Sequence, residues 1–274
     1  MDTLNAKILF VGAGNMAGAI IRGALDAGTL HESDIAVLDP NEDKRASFAN
    51  SFAEPASAIG FIKDTHSPVI VLAVKPQMLE SACTPLRDHI AKLRNSPLVV
   101  SILAGTRSDT VRAAMGGRVR VVRVMPNTPA QIRKGMSAIA PHESATDADT
   151  LLVKRLFESV GDAVELDESM IDAFTAVAGS GPAYLFYLTE SMTNAAIALG
   201  FDDDTARRIV EQTITGSAAL LEASDDDAQT LRAKVTSKHG TTHAATTTLD
   251  DHQVMEIVIK ALTAARDRGI ELGS

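Results

Sequence analysis

The chain has 274 residues, with 45% hydrophobic and 22% charged side chains and a formal net charge of −9. That length suits two domains, and a core of that size needs no disulfide or metal to stabilise it. The acidic balance, the 4% aromatic content and the lack of tryptophan argue against nucleic acid or an anionic membrane surface as a partner. No apolar run reaches the roughly 20 residues of a membrane-spanning helix. Met1 to Lys7 has neither the basic stretch nor the apolar segment of a secretory signal, which predicts a cytoplasmic protein. The single cysteine, Cys83, sits in a helical pattern and reads as a buried thiol.

From Lys7 to Asp167 short β-branched runs alternate with helical stretches, the pattern of parallel strands joined by crossover helices. Expected strands are Ile8 to Val11, Ile35 to Leu38, Val69 to Ala73, Leu98 to Ile102, Val119 to Val124, Met136 to Ala140 and Ala163 to Leu166, enough for a doubly wound sheet. The first strand runs into Gly12-Ala13-Gly14-Asn15-Met16-Ala17, and a helical stretch follows to Ala27. In that setting the glycine pattern is the start of a dinucleotide-binding βαβ unit. Gly12 permits the tight turn, Gly14 lets the backbone approach a pyrophosphate, and Ala17 keeps the helix close to the strand.

The second strand ends at Asp39, where an acidic residue grips the adenosine ribose in NAD-selective sites and repels a 2′-phosphate. Lys44 and Arg45 are near enough in sequence to compete for that phosphate, so NADPH and NADH both stay open. Val74-Lys75-Pro76 follows the third strand, and a strand's C-terminal end is where an open parallel sheet meets its ligand. Ser101-Ile102-Leu103-Ala104-Gly105 and Met125-Pro126-Asn127-Thr128-Pro129-Ala130 also follow strands. Their small residues and prolines suit a rigid backbone wall beside a nicotinamide ring.

After Glu168 strand-like runs vanish, and a helical domain is expected over 168–274, behind a dinucleotide-binding domain over 1–167. Expected helices are 168–178, 182–199, 203–222, 227–235 and 251–271, with Gly200 and Gly269 as stops. Ala183 to Leu199 and Ile209 to Leu221 are apolar on more than one side, which a second copy of the chain would cover; a homodimer is expected. The acidic clusters at 202–204 and 225–227 fall where helices start and suit the positive ends of helix dipoles. Two loops, Ala178 to Tyr184 and Val235 to Thr242, place free amides near helix starts, as anion seats or as simple punctuation. His239 and His243 have no matching third ligand, so no metal is expected.

Taken together, the Gly-x-Gly-Asn-Met start, Ala73-Val74-Lys75-Pro76, the Val-Ser-x-x-Ala-Gly run to Gly105, Met125 to Ala130, Gly179-Ser180-Gly181-Pro182-Ala183-Tyr184 and the Ser-x-x-Gly-Thr-Thr loop at 237–242 resemble the pyrroline-5-carboxylate reductase family nearly end to end. The resemblance implies an α/β protein, an N-terminal Rossmann-type doubly wound sheet followed by an all-α dimerisation domain, whose dimers can associate into rings. It implies reduction of 1-pyrroline-5-carboxylate to L-proline by NADPH or NADH. By that resemblance Val11, Gly12, Ala13, Gly14, Asn15 and Met16, with Ala73, Val74, Lys75 and Pro76, hold the cofactor, and Ile102, Leu103 and Ala104 line it. Lys234, Ser237, Gly240, Thr241 and Thr242 form the substrate region, with Thr242 hydrogen-bonding the imine nitrogen.

The chain departs from the family in two places. Lys238-His239 replaces a usual Pro-Gly, where histidine bears a steric cost at positive φ that glycine does not, and Ala178 replaces a common serine. The alternatives are a related imine or hydroxy-acid dehydrogenase, and a dinucleotide-binding regulatory protein altered at 238–239.

Overall fold

The computed structural model describes residues 3–273. Contacts divide the chain into two compact units, one running to Ser180 and taking in Ala265 onward, the other Gly181–Ala264.

In the first unit β1 (Ile8–Val11), β2 (Ile35–Leu38), β3 (Ser51–Phe52), β4 (Val69–Leu72), β5 (Leu98–Ser101), β6 (Arg120–Met125), β7 (Gly135–Pro141) and β8 (Gly161–Glu165) build one eight-stranded sheet. Its order is β3-β2-β1-β4-β5-β6-β7-β8, parallel except where β7 runs against β6. The helices are α1 (Asn15–Asp26), α2 (Glu42–Arg45), α3 (Pro55–Ile62), α4 (Leu79–Ile90), α5 (Ser108–Ala114), α6 (Asp147–Glu158) and α7 (Ile171–Phe174). The central strands read as unbroken apolar runs because both faces are covered. Ile8 and Phe10 pack with Ile20 of α1 and Phe157 of α6, while Leu9 and Val11 pack with Ile59 of α3, Leu86 of α4 and Val111 of α5. All seven expected strands are present. The eighth, β3, is a two-residue edge strand, too short to leave a pattern.

The stretch expected as one helix over 168–178 is broken into a 3-10 turn (Glu168–Met170), α7 and a π turn (Thr175–Gly179). The cause lies partly in β6, whose Arg123 is a buried cation. Arg123 Nη1 donates to Glu168 Oε1 at 3.1 Å, and Asp172 Oδ1 lies 4.0 Å from Nη2. Glu168 Oε1 also accepts from the backbone N–H of Ser108, the first residue of α5, at 2.8 Å. Cys83 is buried in α4, and burial, reinforced by Glu80 and opposed by Arg87, pushes its thiol up to about 11. It is therefore a neutral core side chain at physiological pH.

In the second unit α8 (Gly181–Ala198), α9 (Asp203–Ala223), α10 (Ala228–Lys234) and α11 (Thr241–Asp251) are followed by α12 (Val254–Leu272). Asp202 and Asp227 cap α9 and α10, accepting from the backbone N–H groups of Thr205 and Thr230 at 3.0 and 2.7 Å. Those backbone hydrogen bonds hold both carboxyls below the usual aspartate range. A helix start was expected beside the 235–242 loop, but the range of α11 was not among the expected helices, because its threonine-rich sequence has poor intrinsic propensity. Gly269 does not stop α12, which continues to Leu272. The core of this unit is small, centred on Ala196, Ala206 and Val210. On α8, Phe186 and Tyr187 are 70% and 73% exposed, and Ile257, Val258 and Ile259 are exposed on α12. No helix among the described residues is long and apolar enough to cross a membrane.

Candidate active site

A cavity of about 490 Å³ opens at the C-terminal ends of β1, β2 and β4, where strand order reverses direction from β1. Gly12, Gly14, Asp39, Lys44, Val74 and Lys75 are among the residues that line it. Gly12 has φ +100°, and a Cβ there would lie 2.6 Å from the Ala73 carbonyl oxygen. The turn therefore runs hard against the end of β4. At Gly14, the residue capping α1, a Cβ would meet nothing within 4 Å. That open space in front of the first α1 amides fits a pyrophosphate, whose charge the helix dipole favours. Asn15 is exposed, Met16 and Ala13 are half-buried against the sheet core, and Val11 is buried.

Asp39 is 7% exposed, and both of its oxygens are engaged. Oδ2 accepts from the Ala13 N–H at 2.9 Å and Oδ1 from the Asn41 N–H at 2.9 Å. The carboxylate thus ties the glycine turn to the loop after β2, and each oxygen keeps a lone pair for a further donor. Lys44, rather than Arg45, lines the cavity. Lys75 is exposed and precedes a 3-10 turn opened by Pro76. Ile102 to Ala104 lies outside the cavity lining: the Ile102 N–H donates to Leu72 at 3.1 Å, Leu103 is 1% exposed and Ala104 is at the surface.

The expected substrate residues sit in the second unit. Lys234 ends α10 and pairs with Asp226. Gly240 caps α11, and its N–H donates to the Ser237 carbonyl at 3.0 Å. A Cβ on Gly240 would run into Ser237 Oγ, so only glycine lets the serine hydroxyl fold over the start of the helix. Thr241 and Thr242 form the first turn of α11, with the Thr242 side chain half-buried. His239 and His243 lie with ring centroids 6.1 Å apart. Among the described residues no three His, Cys, Asp or Glu side chains gather around a common point.

His239 occupies φ +61°, so the 237–240 turn keeps a left-handed residue where histidine must bear the strain. His239→Gly is expected to raise stability by about 1 kcal/mol, read as a higher urea midpoint with unchanged slope.

Residues 168–272 match a family described as pyrroline-5-carboxylate reductase dimerisation, and residues 7–105 match one described as NADP oxidoreductase, coenzyme F420-dependent. The chain is 38% identical over 270 residues to a pyrroline-5-carboxylate reductase of Vibrio alginolyticus, covering 97% of both chains. It belongs to the pyrroline-5-carboxylate reductase family. The structure of a family member from Coxiella burnetii superposes with a TM-score of 0.89 at 31% identity, over 99% of this chain and 100% of that one. A Plasmodium falciparum pyrroline carboxylate reductase with NADP bound gives 0.85 at 26% identity, covering 100% of each chain. The exposed apolar helix faces of the second unit, Phe186 and Tyr187 on α8 and Ile257 to Ile259 on α12, fall within the residues that match the dimerisation family.

The bridging role of Asp39 toward Ala13 and the use of Asn127 away from its own turn were both missed in the sequence. Asn127 Nδ2 donates to the Ala178 carbonyl at 3.0 Å, and its Oδ1 accepts from the Met136 N–H at 2.9 Å. The one available signal was an asparagine held between Pro126 and Pro129.

Proposed function

We infer that the chain reduces 1-pyrroline-5-carboxylate to L-proline with NADPH or NADH. The observation that carries this reading is the 38% identity, spread over 97% of the chain, to a protein named for that activity. The division of labour follows the expected domain boundary, with residues 1–167 holding the dinucleotide and 168–274 supplying the dimer contact and the substrate loop. A nicotinamide dinucleotide, when bound, would supply the hydride. Gly12 to Met16 and Ala73 to Pro76 would hold and orient it, and Ile102 to Ala104 would line it. Ser237 and the amides of Gly240 to Thr242 hold the substrate carboxylate, with Lys234 nearby, and the dipole of the eleven-residue helix α11 adds to that attraction. The Thr242 hydroxyl orients the protonated imine nitrogen; a hydroxyl of ordinary acidity is a poor sole proton donor, so its part is positioning and relay. The protein works in the cytoplasm as a homodimer, and the dimers assemble further into a ring.

Thr242→Val keeps the shape of the side chain and removes its hydroxyl. It is expected to lower kcat about 100-fold with cofactor affinity retained; an unchanged kcat would remove Thr242 from the site. Asp39, in the cavity lining, would hold the cofactor's ribose. Asp39→Ser removes the charge that repels a 2′-phosphate and the acceptor held by the Ala13 N–H. The expected result is a shift of the NADPH/NADH ratio of kcat/KM toward NADPH by about tenfold, ~1.4 kcal/mol, while the value for NADH falls. An unaltered ratio would place the ribose elsewhere.

A further inference from the structure

Asparagine is a favoured helix cap, yet Asn127 precedes the 3-10 turn Thr128–Ile132 without capping it. Its side chain is committed elsewhere. The residue is 9% exposed, and its amide bridges the Met136 N–H of β7 to the carbonyl of Ala178, 51 positions away in sequence. Ala178 lies in the π turn Thr175–Gly179, closed by the Ser180 N–H donating to the Thr175 carbonyl at 2.8 Å. Such turns are rare and concentrate at functional sites. In a continuing α-helix the donor to the Ala178 carbonyl would come from residue 182, but that residue is proline and has no N–H. Asn127 supplies a donor that the chain itself withholds.

The contact has a second point. A Cβ on Gly179 would lie 3.0 Å from Met125 Cε, so the π turn and the Met125 side chain are already in close approach. A third lies one step earlier on the same face of the strand, where Arg123 holds Glu168 and Asp172. Arg123, Met125 and Asn127 are alternate residues, which a strand and its extension place on one side. All three engage the segment 168–179. β6 lies parallel to β5, so the loop that follows it stands at the ligand end of the sheet.

We propose that Asn127 is a positioning residue for the hydride step, locking the loop after β6 to the π turn so that the backbone at the ligand end of the sheet holds one geometry. The proposal rests on the reductase reading above. A small displacement of a positioning element is felt in the reacting geometry more than in the bulk of cofactor binding. The test uses the full-length enzyme with 1-pyrroline-5-carboxylate and its preferred cofactor. Asn127→Asp keeps the acceptor for Met136 and replaces the donor with an oxygen facing the Ala178 carbonyl. Gly179→Ala presses on the same region from the other side, against Met125 Cε at 3.0 Å and Thr175 Cγ2 at 3.3 Å, so its melting temperature is measured beside its kcat.

Both variants are expected to lower kcat, Asn127→Asp by at least about tenfold, while the cofactor dissociation constant stays within about twofold. The primary isotope effect with deuterated cofactor should rise as hydride transfer becomes slower than the steps around it. A lower melting temperature with kcat and isotope effect unchanged in Gly179→Ala would make the contact a structural tie only and overturn the proposal. So would a loss confined to cofactor affinity. Turnover by the wild type separates these outcomes from failure of the reductase reading, since an inactive wild type defeats both.

Discussion

Gly12→Ala is expected to abolish cofactor binding, with the dissociation constant rising at least about 100-fold, or about 3 kcal/mol. Two effects act together. Alanine at φ +100° is strained, and its Cβ would press on the Ala73 carbonyl oxygen and carbon at 2.6 and 2.9 Å. Both are backbone atoms at the end of β4, where β1 and β4 are joined in the sheet, so relief requires parting the two strands. Gly14→Ala is the informative contrast. Its Cβ meets nothing, so the turn should keep its shape while the methyl occupies space that a pyrophosphate would use. Calorimetry should therefore show weakened binding at Gly14 with an unchanged melting temperature, and lost binding at Gly12 with a lowered one. Full affinity in Gly12→Ala would mean that the dinucleotide does not lie on this turn.

Glu168→Ala should be strongly destabilising. Arg123 has 5% of its side chain exposed, against 24% for Glu168, so removing the acid leaves a buried cation with, among the described residues, only Asp172 at 4.0 Å. It also strips the acceptor from the Ser108 N–H at the start of α5. Breaking such a pair costs about 3 kcal/mol, the low end of the range because Glu168 is partly hydrated and Asp172 remains. At this chain length that is roughly 5 °C or more in melting temperature at fixed protein concentration. Arg123→Met should cost less, since the remaining Glu168 still accepts from Ser108 and reaches water. If the two variants melted together, the cost would belong to lost packing rather than to a stranded charge.

Most of the sheet was legible because its strands are buried on both faces, which forces unbroken apolar runs such as Ile8 to Val11 and Val69 to Leu72. The glycine turn was legible for a related reason: Gly12 and Gly14 answer to different local demands, positive φ at one and open space at the other. What could not be read is long-range. The π turn, the broken helix over 168–178 and the use of Asn127 all depend on side chains from β6 and the loop after it meeting a segment some 50 residues later, which leaves no local periodicity. The extent of α11 escaped because threonine propensity argues against it, and tertiary context prevails. The sequence offers Asp39 only as a ribose ligand, whereas its oxygens accept from the Ala13 and Asn41 N–H groups and so order the glycine turn itself. His239 shows the reverse case: its departure from the family pattern is visible in sequence, and the structure places it at φ +61°, where a histidine is costlier than a glycine.

The central claim is that the glycine-turn cavity and the 237–242 loop serve one imine reductase. Its most direct test is the rate of NADPH and of NADH oxidation by the purified protein with 1-pyrroline-5-carboxylate, with proline measured as the product. The account predicts proline formation in step with oxidation of at least one cofactor. Cofactor binding without turnover of this imine with either nucleotide would contradict it.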